Sequence, residues 1–158
     1  MRKWMVGFAA LLFVTSAWQM REALAARQAP PSVQEINDRF VKEWTDRIGD
    51  RAKLPAQQVF KNIKLENLKE VPASTFLIIM NIGYAKALGV QCTYCHVADD
   101  FASDAQRAKN AAREMALMHH DINQQLSRMQ YLADPPDGRS INCTLCHRGA
   151  INPNKAQR

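Results

Sequence analysis

Cys92-Thr93-Tyr94-Cys95-His96 and Cys143-Thr144-Leu145-Cys146-His147 share one form, Cys-x-x-Cys-His, and between them they use all four Cys of the chain. No other feature restricts the fold as much, because this spacing is the attachment signature of c-type haem. On one helical turn the two thiols reach the two vinyl groups on one edge of a porphyrin. The adjacent His then lies beneath the iron as proximal ligand. A four-thiolate zinc site is the first rival, but the gap from Cys95 to Cys143 far exceeds the usual ribbon spacing, and zinc does not require a His after both pairs. A thioredoxin-like redox pair needs a βαβ context, and none is visible. Two plain disulfides leave the repeated His unexplained. The expectation is two covalent haem c groups, one on Cys92 and Cys95 and one on Cys143 and Cys146, with His96 and His147 as axial ligands to iron.

The N-terminal part explains how such a chemistry is reached. Arg2 and Lys3 precede an uncharged apolar run from Trp4 to Trp18, and Ala23-Leu24-Ala25 supplies small residues at a cleavage position. That order is the one of a secretory signal over residues 1–25. The run is shorter than the roughly 20 residues a membrane span needs; an uncleaved anchor is the alternative. Export predicts a periplasmic protein and agrees with covalent haem attachment outside the cytoplasm. It also makes nucleic acid an unexpected partner despite the net charge of +6. Membrane contact is expected only if the segment stays uncleaved. No Cys precedes Cys92, which excludes lipid attachment through an N-terminal Cys.

Helical signals dominate the rest. Residues 26–31 read as a linker. Ser32-Val33-Gln34-Glu35 has the form of a capping box, and Val33, Ile36, Phe40, Trp44 and Ile48 follow at spacings of three and four. That pattern predicts a packing helix of about four turns that stops at Gly49. Residues 54–71 lack a clear period and predict a loop-rich stretch with one short helix. A second helix is expected from Pro72–Ser74 through Met80 to Gly89. A third, long one is expected from a capping box at Ser103–Gln106, with Ala108, Ala111, Met115, Ile122, Leu126 and Met129 on one face, broken at residues 134–138. No segment alternates as a strand does. The fold class expected is all-α, with helix–turn–motif units packed around the cofactors. The division expected is residues 1–25 as signal, 26–54 as linker and N-terminal helix, and 55–158 as the two-haem domain.

The sixth ligand of each iron separates electron transfer from chemistry at an open iron. After the signal, Met80, Met115, Met118 and Met129 remain, and His119 and His120 are the non-motif His. Met80 precedes the first motif on the second helix. At about 100° per residue Phe76, Gly83, Tyr84 and Ala87 share its face, where small residues would admit a flat ring, so Met80 is the candidate for the first iron. For the second, Met115, Met118 and His119 all lie near the centre of the long helix's stripe, and the spacing leaves the three open.

The pattern Val59-Phe60-Lys61-Asn62-Ile63, Met80, Leu88-Gly89-Val90-Gln91-Cys92, Asp100-Phe101-Ala102-Ser103, Ala112-Arg113-Glu114-Met115 and Cys143 to Gly149 resembles the cytochrome c subunit of photosynthetic reaction centres. It is closer still to the small diheme relatives of that subunit in non-photosynthetic bacteria. The resemblance covers about residues 55–153. It implies a haem lying along a helix that supplies a Met ligand, with Met80 in that position. It also implies a second ligand Met four residues before Ile-Asn. Met118 stands there, so the resemblance selects Met118 over Met115 and His119. The reaction-centre subunit carries four haems, whereas this chain has motifs for two, and the segment from Asn123 to Asn142 contains no His.

Residues and resemblance together lead to one expectation: a periplasmic carrier with two haem c groups and His/Met ligation, passing electrons between redox protein partners. Phe76, Tyr84, Tyr94 and Phe101 are expected near the macrocycles. The alternatives are a haem peroxidase-type enzyme with one open iron, and a cytochrome subunit of a larger membrane respiratory or photosynthetic complex. No catalytic residues are assigned.

Overall fold

A computed structural model describes residues 19, 30–131 and 140–155 of the chain. The expected signal segment, most of the linker and the breaker at 134–138 lie outside the described residues. The chain divides at Pro31, and the compact unit that begins at Ser32 carries both motifs.

Helix α1, Val33–Ile48, has the boundaries its local chemistry specifies. Ser32 accepts from the Glu35 backbone, Glu35 reaches back to the cap, and Gly49 turns the chain with φ of +50°. Such a box saturates two backbone donors that the helix cannot pair itself. The buried side of α1 is rotated slightly from the expected stripe. Asn37, Val41, Trp44 and Ile48 face inward, while Val33 is exposed. The apolar cluster centres on Ile48, Ala73 and Leu77, with Val41, Trp44, Ala52, Val59 and Phe60 packed around it.

A short 3₁₀ turn, Gly49–Lys53, leads into α2, Ala56–Val59, and then α3, Glu66–Lys69. Two single-turn helices therefore stand where one was expected. Paired Pro residues organise this region. Pro55 and Pro72 face each other as an isolated antiparallel bridge, and the Ala56 and Ala73 amides donate across it to Val71 (2.8 Å) and Leu54 (2.9 Å).

Helix α4, Ala73–Ile78, starts at Pro72 as expected and continues without a break into a π-helical stretch, Ile79–Lys86. The wider turn was not legible in the residue pattern. It changes which side chains share a face, because i→i+5 bonding replaces i→i+4. Gly89 ends the run with φ of +67°.

The long helix α5, Arg107–Arg128, begins four residues later than the capping-box reading placed it. Ser103 instead accepts from the Ala105 amide in an extended segment. Its inward face matches the expected one only in part, with Ala108, Ile122 and Leu126 half-buried but Met129 exposed. Lys109, Ala112, Arg113, Ala116, His119 and Asn123 turn toward the protein, whereas Ala111, Met115 and Met118 are exposed. Helix α6, Cys143–His147, is a single turn. Among the described residues there is no strand beyond isolated bridges, which makes the fold all-α. Among them, no helix is long and apolar enough to cross a membrane.

Candidate haem-binding centres

The first motif forms a 3₁₀ turn, Cys92–Tyr94, whose next residues are tied back by Cys95 and His96 amides donating to the Cys92 carbonyl. Asn37 of α1 holds this turn in place. It is 1% exposed, the largest fully buried side chain among the described residues. Its Oδ1 accepts from the Cys92 amide (3.1 Å) and thiol (3.4 Å), and its Nδ2 donates to the Val90 carbonyl (2.9 Å). A buried amide with its groups paired this way fixes a loop that has no ladder or helix of its own.

His96 Nδ1 lies 3.0 Å from the Phe101 carbonyl, and the ring stacks on Phe101 with centroids 4.7 Å apart. A carbonyl only accepts, so Nδ1 carries the proton and Nε2 keeps its lone pair for a metal. Burial pushes the His96 pKa down and so favours this neutral form, against the opposing effect of the Phe101 carbonyl.

Met80, Cys92, Cys95 and His96 line one cavity of about 680 Å³. That is within the size range of cofactor pockets. Its other walls are largely apolar. Phe60 stacks on Phe76 (5.3 Å) and meets Trp44 edge-on (6.1 Å), while Phe40 stacks on Phe101 (4.9 Å). The π-helical stretch contributes Met80, Asn81, Tyr84 and Ala85. Gly83 and Ala87, expected on Met80's face, do not line the cavity, because the π turn advances each residue by less than an α turn. Tyr94 does not line it either and is 44% exposed. Tyr84 has its pKa pushed up to about 12 by burial, with Cys143 of the second motif adding to the shift. It therefore stays a neutral phenol.

Polar groups gather beside the Phe101 turn. Asp104 binds Lys64 (2.5 Å) and Arg113 (2.7 Å), and these two hold its carboxyl well below the usual carboxylate range, Lys64 first. Lys109 is buried, and burial lowers its pKa, with Arg113 adding and Asp104 opposing. Its ammonium donates to the carbonyls of Phe101, Ala102 and Ser103.

The second motif is built differently. Asn142 caps α6 by accepting from the Leu145 amide (3.1 Å), and Arg148, with φ of +46°, closes the turn. His147 Nδ1 lies 3.0 Å from the Ala150 carbonyl, which again leaves Nε2 with the lone pair. Asn123 of α5 brackets the approach, with its Oδ1 accepting from the Ile141 amide (2.7 Å) and its Nδ2 donating to the Ile141 carbonyl (3.1 Å). His119 Nε2 lies 2.7 Å from that same carbonyl and 2.8 Å from Asn123 Nδ2. Met115 and Met118 sit half-exposed on α5, and neither lines the first cavity. His120 is exposed and bonded to Gln124.

Backbone contact joins the two motifs. The Gly149 amide, two residues past His147, donates to the Ala87 carbonyl at 2.9 Å, just before the first motif. A Cβ on Gly89 would stand 2.1 Å from the Gly149 carbonyl oxygen. Only glycine permits this approach with a left-handed φ.

The four Cys form no disulfide. Burial raises the pKa of Cys92, Cys95 and Cys143, which keeps them as thiols. Among the described residues no group of three or more His, Cys, Asp or Glu assembles a metal site. Two closely spaced thiols, an imidazole with a free Nε2, a thioether and aromatic walls around one cavity instead fit a covalently held, flat, apolar cofactor.

The sequence matches the family described as the photosynthetic reaction centre cytochrome C subunit over residues 19–157. The chain belongs to that family. It is similar to cytochrome c-554 of Chloroflexus aurantiacus, 31% identical over 98 residues that cover 61% of this chain and 22% of that protein. It is also similar to the photosynthetic reaction center cytochrome c subunit of Rubrivivax gelatinosus, 30% identical over 124 residues covering 72% of this chain and 32% of that one. The chain thus spans at most about a third of the length of these relatives. Membership of this cytochrome family implies covalently bound haem c.

Reading the sequence alone missed Asn37, Phe40, Trp44 and Lys109 as parts of the site of this family cytochrome. Asn37 left a signal, since it stands four residues after Val33 and seven before Trp44, a polar residue on an apolar helical stripe.

Proposed function

We propose that this chain is a periplasmic electron carrier with two haem c groups. In this reading Cys92 and Cys95 hold one haem, with His96 and Met80 as axial ligands. Cys143 and Cys146 hold the other, with His147 and Met118. The observation that carries the reading is the convergence of Met80, Cys92, Cys95 and His96 on a single apolar cavity. Haem supplies a one-electron ferric–ferrous couple when bound. The chain's residues do the rest. Asn37 and the Phe101 carbonyl orient the first motif and its imidazole. Phe40, Trp44, Phe60 and Phe76 exclude water, and a dry shell stabilises the less charged ferrous state. Thioether ligation is expected to favour ferrous iron further.

Residues 1–25 serve as the export signal in this reading, 26–54 as linker and α1, and 55–158 as the two-haem domain. The partners are redox proteins. Membership of the reaction-centre family favours a second version, in which the chain is the cytochrome subunit of a larger membrane respiratory or photosynthetic complex.

A pyridine haemochrome assay tests the reading, with two c-type haems expected per chain. The ferric protein should show the weak near-infrared band of Met-ligated haem, and Met80→Leu and Met118→Leu should each remove part of it. One haem per chain, or a high-spin iron that turns over peroxide in the unmodified protein, would overturn it. An unchanged band in Met118→Leu would move the second ligand to Met115 or His119.

A further inference from the structure

The Phe101 carbonyl serves two donors. His96 Nδ1 approaches it at 3.0 Å and Lys109 Nζ at 2.9 Å. A carbonyl oxygen has two lone pairs and accepts both. Lys109 is anchored in this position, donating also to the Ala102 (3.0 Å) and Ser103 (2.7 Å) carbonyls, with its side chain 10% exposed and Asp104 3.6 Å away. Three carbonyl acceptors match the three protons of an ammonium. The second motif repeats only half of this arrangement. His147 Nδ1 meets the Ala150 carbonyl at 3.0 Å, and among the described hydrogen bonds no ammonium shares that oxygen.

We infer that Lys109 is a positioning residue that raises the reduction potential of the centre at His96 relative to the centre at His147, acting through the Phe101 carbonyl. The inference rests on the two-haem reading above. A carbonyl that accepts from a ligating imidazole's N–H makes the imidazole more basic and a stronger donor to iron, which stabilises the ferric state. An ammonium on the same oxygen draws electron density from it and weakens that effect. The buried positive charge itself also disfavours the ferric state, in which the iron carries one more positive charge. Both effects have the same sign. Asp104 offsets part of the charge but bonds more closely to Lys64 and Arg113 than to Lys109.

The test uses the holoprotein, first checked for two haems and Met ligation, so that failure of the two-haem reading shows before any variant is made. Lys109→Met and Lys109→Gln are titrated electrochemically, with ¹⁵N-histidine NMR of the reduced protein assigning each centre. Lys109→Gln keeps a donor without the charge and serves should the Met variant fail to take up haem. The His96 centre should become harder to reduce, its ferrous-to-ferric ratio at fixed potential falling at least threefold, where tenfold corresponds to 59 mV for a one-electron couple. The His96 Nδ1 resonance should move and that of His147 should not. Lys109→Arg should restore most of the potential. An unchanged His96 potential, or equal shifts at both centres, would overturn the inference.

Discussion

Replacing Gly89 by Ala tests how the two motifs are held together. Two costs add at this position. An L-residue at φ of +67° loses about 1–2 kcal/mol relative to glycine. The new Cβ would also stand 2.1 Å from the Gly149 carbonyl oxygen, a backbone atom that must retreat by roughly 1 Å to reach ordinary contact. That retreat pulls the Gly149 amide from the Ala87 carbonyl, now 2.9 Å away, at about 1–2 kcal/mol. The sum is about 2–4 kcal/mol, a large fraction of the stability of a domain. Gly149→Ala provides the control, since Gly149 has φ of +82° and nothing within 4 Å of the added Cβ. It should lose only the conformational part. Guanidinium unfolding of the holoproteins, followed by far-UV circular dichroism with equal slopes, measures both. If Gly89→Ala costs no more than Gly149→Ala, the motif-to-motif contact does not stabilise the fold and the reasoning fails.

Other perturbations read out separate parts of the site. Asn37→Ala leaves the Cys92 amide and Val90 carbonyl without their buried partner and should cost about 2–4 kcal/mol in the same unfolding assay. Asn123→Ala should release the segment before Cys143, seen as roughly tenfold faster hydrogen exchange at the Ile141 amide, which Asn123 now binds at 2.7 Å. Asp104, whose folded pKa is depressed chiefly by Lys64, contributes stability that is present above the ordinary carboxylate pKa and lost as pH falls through the folded value. The stability difference between the wild type and Asp104→Asn should therefore be flat at neutral pH and shrink under acid, and a difference that grew on acidification would contradict the ion-pair account.

Legibility followed the range of the interactions. The boundaries of α1 were readable because Ser32, Glu35 and Gly49 act within a few residues of themselves. The start of α4 at Pro72 and the end of its run at Gly89 were readable for the same reason. The capping-box reading at Ser103 failed because the carbonyls of residues 101–103 are engaged by Lys109 instead. The face of α5 was read only in part because Lys109, Arg113 and Asn123 turn inward to find specific polar partners, and a hydrophobicity pattern counts such residues as outward-facing.

The sequence by itself determined the cofactor chemistry, since the spacing of two thiols and a His within five residues is a covalent template that needs no distant contact. It also determined the helical class and the family. Tertiary structure alone decided that Met80 and the first motif face one cavity, that a π turn puts Asn81 and Ala85 beside Tyr84 in its lining in place of Gly83 and Ala87, and that His96 and Lys109 meet on one carbonyl. It also decided that Gly149 seats on the turn at Gly89. Most of these join residues far apart along the chain, and what selects them is the pairing of buried polar groups and the exclusion of overlapping atoms, neither of which has a local signature.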